Sequence, residues 1–175
     1  MDEELKEALK ACGALLYGDF TLASGKKSRY YIDIKKASTD PRVLRRIADS
    51  MAAEMSKFKR PNRIAGVVLG SVPLAVALSL RTGLPFVMVR KEKKEHGTGK
   101  LIEGDLKEGE RVLVVEDVVT SAGSSAEAIA TLRASGAIVE EVMVVIDRQE
   151  GGRERLEQMG VKLVPLLTAE DVLRS

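Results

Sequence analysis

The chain has 175 residues, of which 45% are hydrophobic and 31% charged, a balance typical of a globular protein rather than a disordered or membrane-embedded one. A formal net charge of +2 gives no overall signal for nucleic-acid or membrane binding, and a single cysteine excludes an internal disulfide. No stretch approaches the roughly 20 apolar residues that span a bilayer, and the charged start MDEELKEALKACG is unlike a signal peptide, so we expect a cytoplasmic protein.

The first third of the chain predicts a helix, a hairpin and a second helix. Apolar residues recur at helical spacing from Leu5, and Gly13 is a suitable helix end. Two strand-like runs in 20–36 predict the hairpin. The segment 39–41 places a capping side chain before a proline, which predicts a helix from there to about Phe58.

From residue 63 onward, apolar strand-like runs alternate with helical patterns. Strands are predicted at 63–70, 85–90, 112–116, 138–147 and 161–167, and helices at 73–83, 124–135, 151–160 and 169–175. Near-continuous apolar strands between helices indicate an α/β fold, a Rossmann-like parallel sheet flanked by helices on both faces. Because ligands of such sheets bind beyond the carboxyl ends of the strands, we expect the site to be built from 69–73, 90–104 and 116–124.

The segment 116–124 combines two adjacent acids with a run of small residues before a helix. Backbone N–H groups in 120–124, together with the helix N-terminus, can bind a phosphate. Glu116 and Asp117 can accept hydrogen bonds from ribose hydroxyls and help to position Mg²⁺ that the ligand's own phosphates bind. A ligand with a 5-phosphate, vicinal ribose hydroxyls and a diphosphate suits both parts of this segment, the acid pair and the run of small residues. The alternative, a solvated strand end before a capped helix, explains Ser124 well and the paired acids poorly.

The stretch VLVVEDVVTSAGS (112–124) resembles the signature with which type I phosphoribosyltransferases bind phosphoribosyl diphosphate (PRPP). The resemblance implies that family's fold and identifies the donor, but not the acceptor base. It implies PRPP contacts by Glu116, Asp117, Val118, Val119, Thr120, Ser121, Ala122, Gly123 and Ser124.

The stretch RKEKKEHGTGK (90–100) gathers cations and the one histidine of the sequence. A charge run is usually a solvated face, but this run follows a predicted buried strand at the edge of the predicted site. It resembles the catalytic loop of orotate phosphoribosyltransferases. That resemblance implies PRPP contacts by Arg90, Lys91, Lys94 and His96. It also implies a homodimer in which the loop 90–104 is shared between subunits.

Two further segments resemble the same family. FTLASGKKSRYYID (20–33) is similar to its N-terminal hood, which covers the base, and DRQEGG (147–152) to the segment whose arginine binds the orotate carboxylate, here Arg148. Thr120 is expected to help hold the base. The chain is expected to be a single domain, 1–175, with the hood mainly in 1–36 and the core at about 37–167.

Two positions depart from the pattern of many family members. Ala23 stands where many of them carry a lysine in the hood, and the loop 69–73 lacks the lysine that some members have there. Lys26 or Lys27 is a candidate to substitute in the hood, and the small residues of 69–73 can still bind diphosphate through backbone N–H groups. The departures bear on ligand affinity more than on the reaction.

The implied function is Mg²⁺-dependent transfer of the phosphoribosyl group from PRPP to orotate, giving orotidine 5′-monophosphate in pyrimidine (UMP) biosynthesis. Catalysis is expected to rest on Lys94 and His96 at the leaving diphosphate and on Glu116 and Asp117 at the ribose. No direct protein ligand set is expected for the metal, and no nucleic-acid or membrane partner. Two alternatives remain open, a regulator that binds PRPP or a base, and a phosphoribosyltransferase for purines or uracil.

Overall fold

The computed structural model describes residues 2–21, 27–90 and 100–174, which form an N-terminal unit and a larger sheet with flanking helices. The N-terminal unit contains helix α1 (Glu3–Ala11) and an antiparallel pair of strands, β1 (Leu15–Thr21) and β2 (Lys27–Ile32). The other helices are α2 (Ile34–Ser38), α3 (Pro41–Met55), α4 (Val72–Thr82), α5 (Gly123–Ala134), α6 (Gly152–Gln158) and α7 (Ala169–Leu173). The other strands are β3 (Arg63–Val67), β4 (Phe86–Val89), β5 (Ile102–Glu103), β6 (Val112–Val119), β7 (Glu141–Asp147) and β8 (Lys162–Thr168).

Within the described residues, the larger sheet has the strand order β5-β4-β3-β6-β7-β8. The β4–β3, β3–β6, β6–β7 and β7–β8 pairs are parallel, and β5 is antiparallel to β4. The chain leaves β3 towards β4 on one side and later enters β6 on the other side, so the topology reverses between β3 and β6. The loops after these two strands therefore diverge to opposite faces and leave a crevice between them.

Alternate side chains of the central strands enter different cores, as the pleat of a strand requires. Ile64 and Leu113 are buried with α1, α3 and α4 on one face. Ala65 and Val114 are buried with α5 and α6 on the other. The sheet is thus covered on both faces, and the predicted fold class is confirmed.

Helix boundaries follow the predicted signals closely. The Asp40 side chain accepts hydrogen bonds from the backbone of Arg42 and Val43 at the start of α3. Gly83 adopts a left-handed φ of 73° and ends α4, which is the conformation that glycine tolerates best. In the described part of the chain, no helix is both long enough and apolar enough to span a membrane.

The sequence prediction was wrong for four elements. The strand predicted at 112–116 extends to Val119, because β6 continues to pair with β7 through Glu116, Val118 and Val119. Helix α2 and strand β5 were not predicted, since five and two residues are too few to establish a hydrophobic period. Strand β1 begins at Leu15, several residues before the predicted hairpin.

Candidate active site

A cleft of about 350 Å³ lies at the carboxyl ends of β3 and β6, where the sheet topology reverses. Its floor is the loop after β3, and its wall is the end of β6 with the first turn of α5. The described residues that line it are Lys35, Val67, Val68, Leu69, Gly70, Ser71, Glu116, Asp117, Val118, Val119, Thr120, Ser121, Ala122, Gly123, Ser124 and Ser125. Two of the three segments expected to form the site, 69–73 and 116–124, therefore meet in one cavity.

Glu116 is a buried carboxylate held by hydroxyl groups from two helices. Its side chain points off β6, and the residue is only 5% exposed. The Ser71 hydroxyl donates to Oε2 at 2.6 Å, and the Ser125 hydroxyl donates to Oε1 at 3.1 Å. These bonds offset the cost of burying a charge, and they tie the starts of α4 and α5 to the strand between them.

Asp117 lies at the cleft surface between two segments. Its side chain is 18% exposed, and Lys35 Nζ is 3.7 Å from Oδ2. Its Oδ1 accepts a hydrogen bond of 2.9 Å from the backbone of Val118. On its other side, Gly70 passes so close that a β carbon there would collide with the carboxylate. The acid is thus set between the loop after β3 and helix α2.

The run 120–124 turns the chain from β6 into α5. Ala122 has a left-handed φ of 57° and begins the helix, and within the described residues no side chain caps it. The N–H groups of the first turn can therefore bind an anion, which the helix dipole also favours. Gly152 packs against Thr120 and Ala122, where a β carbon would lie 2.6 Å from the Thr120 carbonyl oxygen.

The side chains of Val118 and Val119 do not face the cleft as ligand groups. Val119 is 1% exposed and packs in the core on the α5 face, and Val118 packs against the opposite core. Their apolar side chains cannot donate or accept hydrogen bonds, so any polar contact of these two residues with a ligand would come from the backbone. The Val119 carbonyl also accepts a hydrogen bond of 2.9 Å from the backbone N–H of Arg148.

Arg148 follows β7 and is fixed in place by two contacts. Its Nε donates to Glu150 Oε1 at 2.8 Å, and its guanidinium carbon lies 5.1 Å from the ring centroid of Tyr30, on strand β2. Burial, together with Glu150, raises the pKa of the Tyr30 phenol, although Arg148 opposes that shift. Arg148 is not among the residues lining the cleft, but it stands one strand away from Thr120 beneath the N-terminal sheet.

The predicted cationic loop is described only at its ends. Arg90 follows β4, forms an ion pair of 3.2 Å with Glu103 on β5, and is not among the residues that line the cleft. Lys91, Lys94 and His96 lie outside the described residues, as do Ala23 and Lys26 in the hood. Their expected contacts stay predictions.

Sequence reasoning missed one charged residue of the cleft. Lys35 falls in the segment predicted as a hairpin, and only the fold brings it to the end of β6. Its sequence signal was weak, an acid that can cap a helix (Asp33) followed by two lysines. Ser125, which binds Glu116, was also missed, because it follows the thirteen-residue signature.

Comparisons with known proteins agree with this geometry. Residues 36–164 match the model of the phosphoribosyl transferase domain. An orotate phosphoribosyltransferase of Methanosarcina acetivorans is 54% identical over 172 residues, which cover 98% of this chain and 91% of that protein. The crystal structure of orotate phosphoribosyltransferase from Aeropyrum pernix has a TM-score of 0.85 at 39% identity and covers 97% of this chain and 96% of that one. The Mycobacterium tuberculosis enzyme in complex with PRPP has a TM-score of 0.80 at 30% identity, with coverage of 97% and 96%.

Proposed function

This chain belongs to the phosphoribosyl transferase family, and we propose that it acts as an orotate phosphoribosyltransferase in pyrimidine biosynthesis. A ring nitrogen of orotate forms a bond to the anomeric carbon of PRPP and gives up its proton to solvent, and the bond from that carbon to the diphosphate breaks. The products are orotidine 5′-monophosphate and diphosphate. The observation that carries the proposal is the cleft between β3 and β6, where a carboxylate pair stands beside a helix start that no described side chain caps.

The two ends of the cleft suit the two ends of a phosphoribosyl group. The N–H groups and hydroxyls of 120–124 hold the 5-phosphate, with the backbone of Val118 and Val119 completing the wall. Glu116 and Asp117 accept hydrogen bonds from the ribose hydroxyls. A carboxylate oxygen can accept more than one hydrogen bond, so the serine contacts of Glu116 are compatible with this role.

The diphosphate lies towards the loop after β3 and beneath the cationic loop 90–104. Arg90, Lys91, Lys94 and His96 bind it there, and Lys94 and His96 stabilise the charge that builds on it as it leaves. The developing positive charge on the ribose ring is favoured by the carboxylates of Glu116 and Asp117. Placement and electrostatics, rather than covalent chemistry of the protein, lower the barrier.

Mg²⁺ fits the donor set at this cleft. Among residues 2–21, 27–90 and 100–174, no three His, Cys, Asp or Glu side chains are grouped to hold a metal ion. Asp117 nevertheless offers carboxylate oxygens at the cleft surface, which is the ligand type that Mg²⁺ prefers, and it would help to hold an ion bound mainly by water and substrate oxygens. When bound, it neutralises charge on the diphosphate.

Orotate is recognised by its carboxylate. Arg148 uses Nε to bond Glu150, so its terminal amino groups can grip a carboxylate from one side. The ring of Tyr30 contacts the guanidinium of Arg148. Thr120 follows β6, the strand paired with β7. Uracil and purines lack a carboxylate, so this contact favours orotate over them.

A homodimer that shares the loop 90–104 completes the proposal. Two large apolar side chains of the described chain are exposed, Leu69 at the cleft (74%) and Leu80 near the end of α4 (83%). Pro73, Val76 and Leu80 fall on one face of α4 at helical spacing, and a second copy would cover them. The cytoplasmic location and the division into a hood and a core stay predictions.

The experiment that tests the function follows the ultraviolet absorbance of orotate after PRPP is added, with and without Mg²⁺. Uracil and hypoxanthine serve as alternative bases. We expect turnover that requires orotate and Mg²⁺. PRPP binding without turnover of any base would favour a regulator instead, and turnover of hypoxanthine or uracil alone would refute orotate as the substrate.

A further inference from the structure

We propose that Lys35, on helix α2, binds the diphosphate of PRPP and supplies the positive charge that the loop after β3 lacks. This inference rests on the proposed function, because it assigns a role within the same cleft. Lys35 is the one basic side chain among the described residues that line the cleft. The other charged side chains there, Glu116 and Asp117, are acids, which would repel a diphosphate in the absence of a cation.

The backbone that carries Lys35 is firmly held. The Asp33 side chain caps α2 by accepting a hydrogen bond of 3.2 Å from the backbone of Lys36. Ile34 and Ala37, on either side, are 2% and 0% exposed in the core. Lys35 therefore starts from a fixed position, and only its flexible side chain moves when a ligand binds.

The position of the ammonium group matches the diphosphate end of the cleft. Lys35 Nζ and Gly70 both lie close to the same carboxylate oxygen, Oδ2 of Asp117, so Lys35 stands near the loop after β3. That loop, 68–71, contains no charged side chain. The cation that a lysine in the loop would provide comes instead from α2.

The ammonium group of Lys35 makes no hydrogen bond to Asp117. The separation of 3.7 Å between Nζ and Oδ2 is too long for a hydrogen bond, and the lysine side chain is 68% exposed. Exposed ion pairs of this kind contribute at most about 1 kcal/mol. The ammonium group therefore keeps its donors for a ligand.

The test compares Lys35→Gln with Lys36→Gln, a matched control that removes the same charge from the next residue. Lys36 points elsewhere, because a β carbon at Gly13, after α1, would lie 2.8 Å from its Nζ, and Lys36 is not among the residues lining the cleft. Inorganic diphosphate and ribose 5-phosphate are titrated separately into each protein by calorimetry. We expect Lys35→Gln to weaken diphosphate binding about tenfold or more, the loss of one charge-assisted hydrogen bond. Ribose 5-phosphate binding should not change, and Lys36→Gln should match the wild type with both probes.

An unchanged diphosphate affinity in Lys35→Gln overturns the proposal, and so does an equal loss with ribose 5-phosphate. A second arm repeats Lys35→Gln in an Asp117→Asn background. If Lys35 served only to neutralise Asp117, the second substitution would add no further loss; a further loss supports direct binding. Circular dichroism and thermal melting establish that each variant is folded.

Turnover of orotate by the wild type, measured on the same preparation, judges the proposed function independently. A wild type that binds diphosphate through Lys35 but does not consume orotate would refute the reaction and leave the role of Lys35 intact. Conversely, if the wild type consumes orotate and Lys35→Gln binds diphosphate as tightly as the wild type, the proposed role of Lys35 is refuted and the proposed function stands.

Discussion

At the scale of single residues, the two adjacent acids of the cleft, Glu116 and Asp117, have different surroundings. Glu116 is buried and accepts hydrogen bonds from Ser71 and Ser125, so it holds the starts of two helices at fixed distances from β6. Asp117 is partly exposed at the cleft surface, with Lys35 Nζ 3.7 Å from its Oδ2. Successive side chains of a strand point to opposite sides, and this alternation gives each acid its own surroundings.

Arg148→Lys should damage recognition of orotate far more than that of PRPP. A lysine cannot grip a carboxylate with two parallel hydrogen bonds, nor stack on Tyr30 as a planar guanidinium does. We expect the KM for orotate to rise about tenfold or more, with the KM for PRPP nearly unchanged. Steady-state kinetics with each substrate varied in turn measure both values.

The control for this variant is Arg133→Lys, on α5, where the arginine donates to the carbonyls of Met159 and Val139 away from the cleft. It should leave both KM values unchanged. A parallel rise of both KM values in Arg148→Lys would show that Arg148 supports the fold of the site rather than the orotate carboxylate.

The sequence predicted the site residues that belong to a recognisable local motif, but not those that reach the site only because the chain folds. The stretch 116–124 was predicted to border a ligand site, and the structure arranges it around one cleft, although its contacts with PRPP stay predictions. Lys35 and Ser125 were missed because their relation to Asp117 and Glu116 exists only after α2, β6 and α5 are packed. No local pattern records such a contact.

At the scale of elements, the packing of α6 against the end of β6 determines where the phosphate-binding run lies. Gly152, the first residue of α6, touches Val119 and the backbone of Thr120 and Ala122. A larger residue would have to displace backbone, which adapts less readily than the end of a flexible side chain. The position of the run 120–124 therefore depends on a glycine far along the sequence.

Gly152→Ala should weaken PRPP binding as well as destabilise the protein. The added β carbon would lie 2.5 Å from Val119 Cγ1 and 2.6 Å from the Thr120 carbonyl oxygen, so the run must shift. We expect a loss of about 1–3 kcal/mol in the free energy of unfolding, together with a lower affinity for ribose 5-phosphate. Urea unfolding and calorimetry measure the two effects.

Gly136→Ala separates the two effects, because it crowds Glu108 at a left-handed glycine (φ 83°) outside the cleft lining. It should cost stability without affecting ribose 5-phosphate binding. If both variants lowered that affinity equally, general destabilisation would explain the result, and the specific role of Gly152 would be refuted.

The ends of helices and strands were likewise predicted where the signal is local and missed where it depends on the fold. Caps such as Asp40 and Gly83 are local signals, and the predicted ends of α3 and α4 were close to those observed. The end of β6 was not predicted, because two acids favour a solvated strand end by composition. Pairing with β7 and hydroxyl partners for Glu116 outweigh that preference, and both come from residues distant in sequence.

At the scale of the whole molecule, stability and the site lie at opposite ends of the sheet. Arg63 begins β3 and makes two hydrogen bonds of 2.8 Å to Glu110, in a largely buried pair. The cleft lies beyond the other end of the same strand. Changes in this pair should therefore alter the free energy of unfolding without changing the chemistry.

Glu110 should make the protein sensitive to acid. The hydrogen bonds from Arg63 lower the pKa of Glu110 to about 2, against an ordinary 4.5, while burial opposes the shift. A folded pKa below the unfolded one stabilises the protein above the unfolded value, and this contribution is lost as the pH falls from about 4.5 towards 2. We expect Glu110→Gln to cost about 2–3 kcal/mol at neutral pH, and the difference from the wild type to shrink over that acid range.

Urea unfolding at pH 7 and at acid pH checks this prediction, with the exposed neighbour Glu108→Gln as the control that should show little loss. A Glu110→Gln variant as stable as the wild type at pH 7 would contradict it. So would a difference from the wild type that does not change with pH.

The proposed homodimer makes a prediction that no single chain can satisfy. If the loop 90–104 serves the partner's cleft, Lys94→Ala and Asp117→Asn damage sites formed from different chains. Each homodimer should be nearly inactive, but a mixed dimer has one site with an intact loop from one chain and an intact cleft from the other. Random exchange of subunits in a twofold dimer would place half the chains in mixed dimers, so an equal mixture should recover about a quarter of wild-type turnover.

The measurement is orotate consumption after the two variants are unfolded together and refolded, compared with refolding them separately. A loop that served its own subunit would leave the mixture inactive, because every site would then contain one of the two lesions.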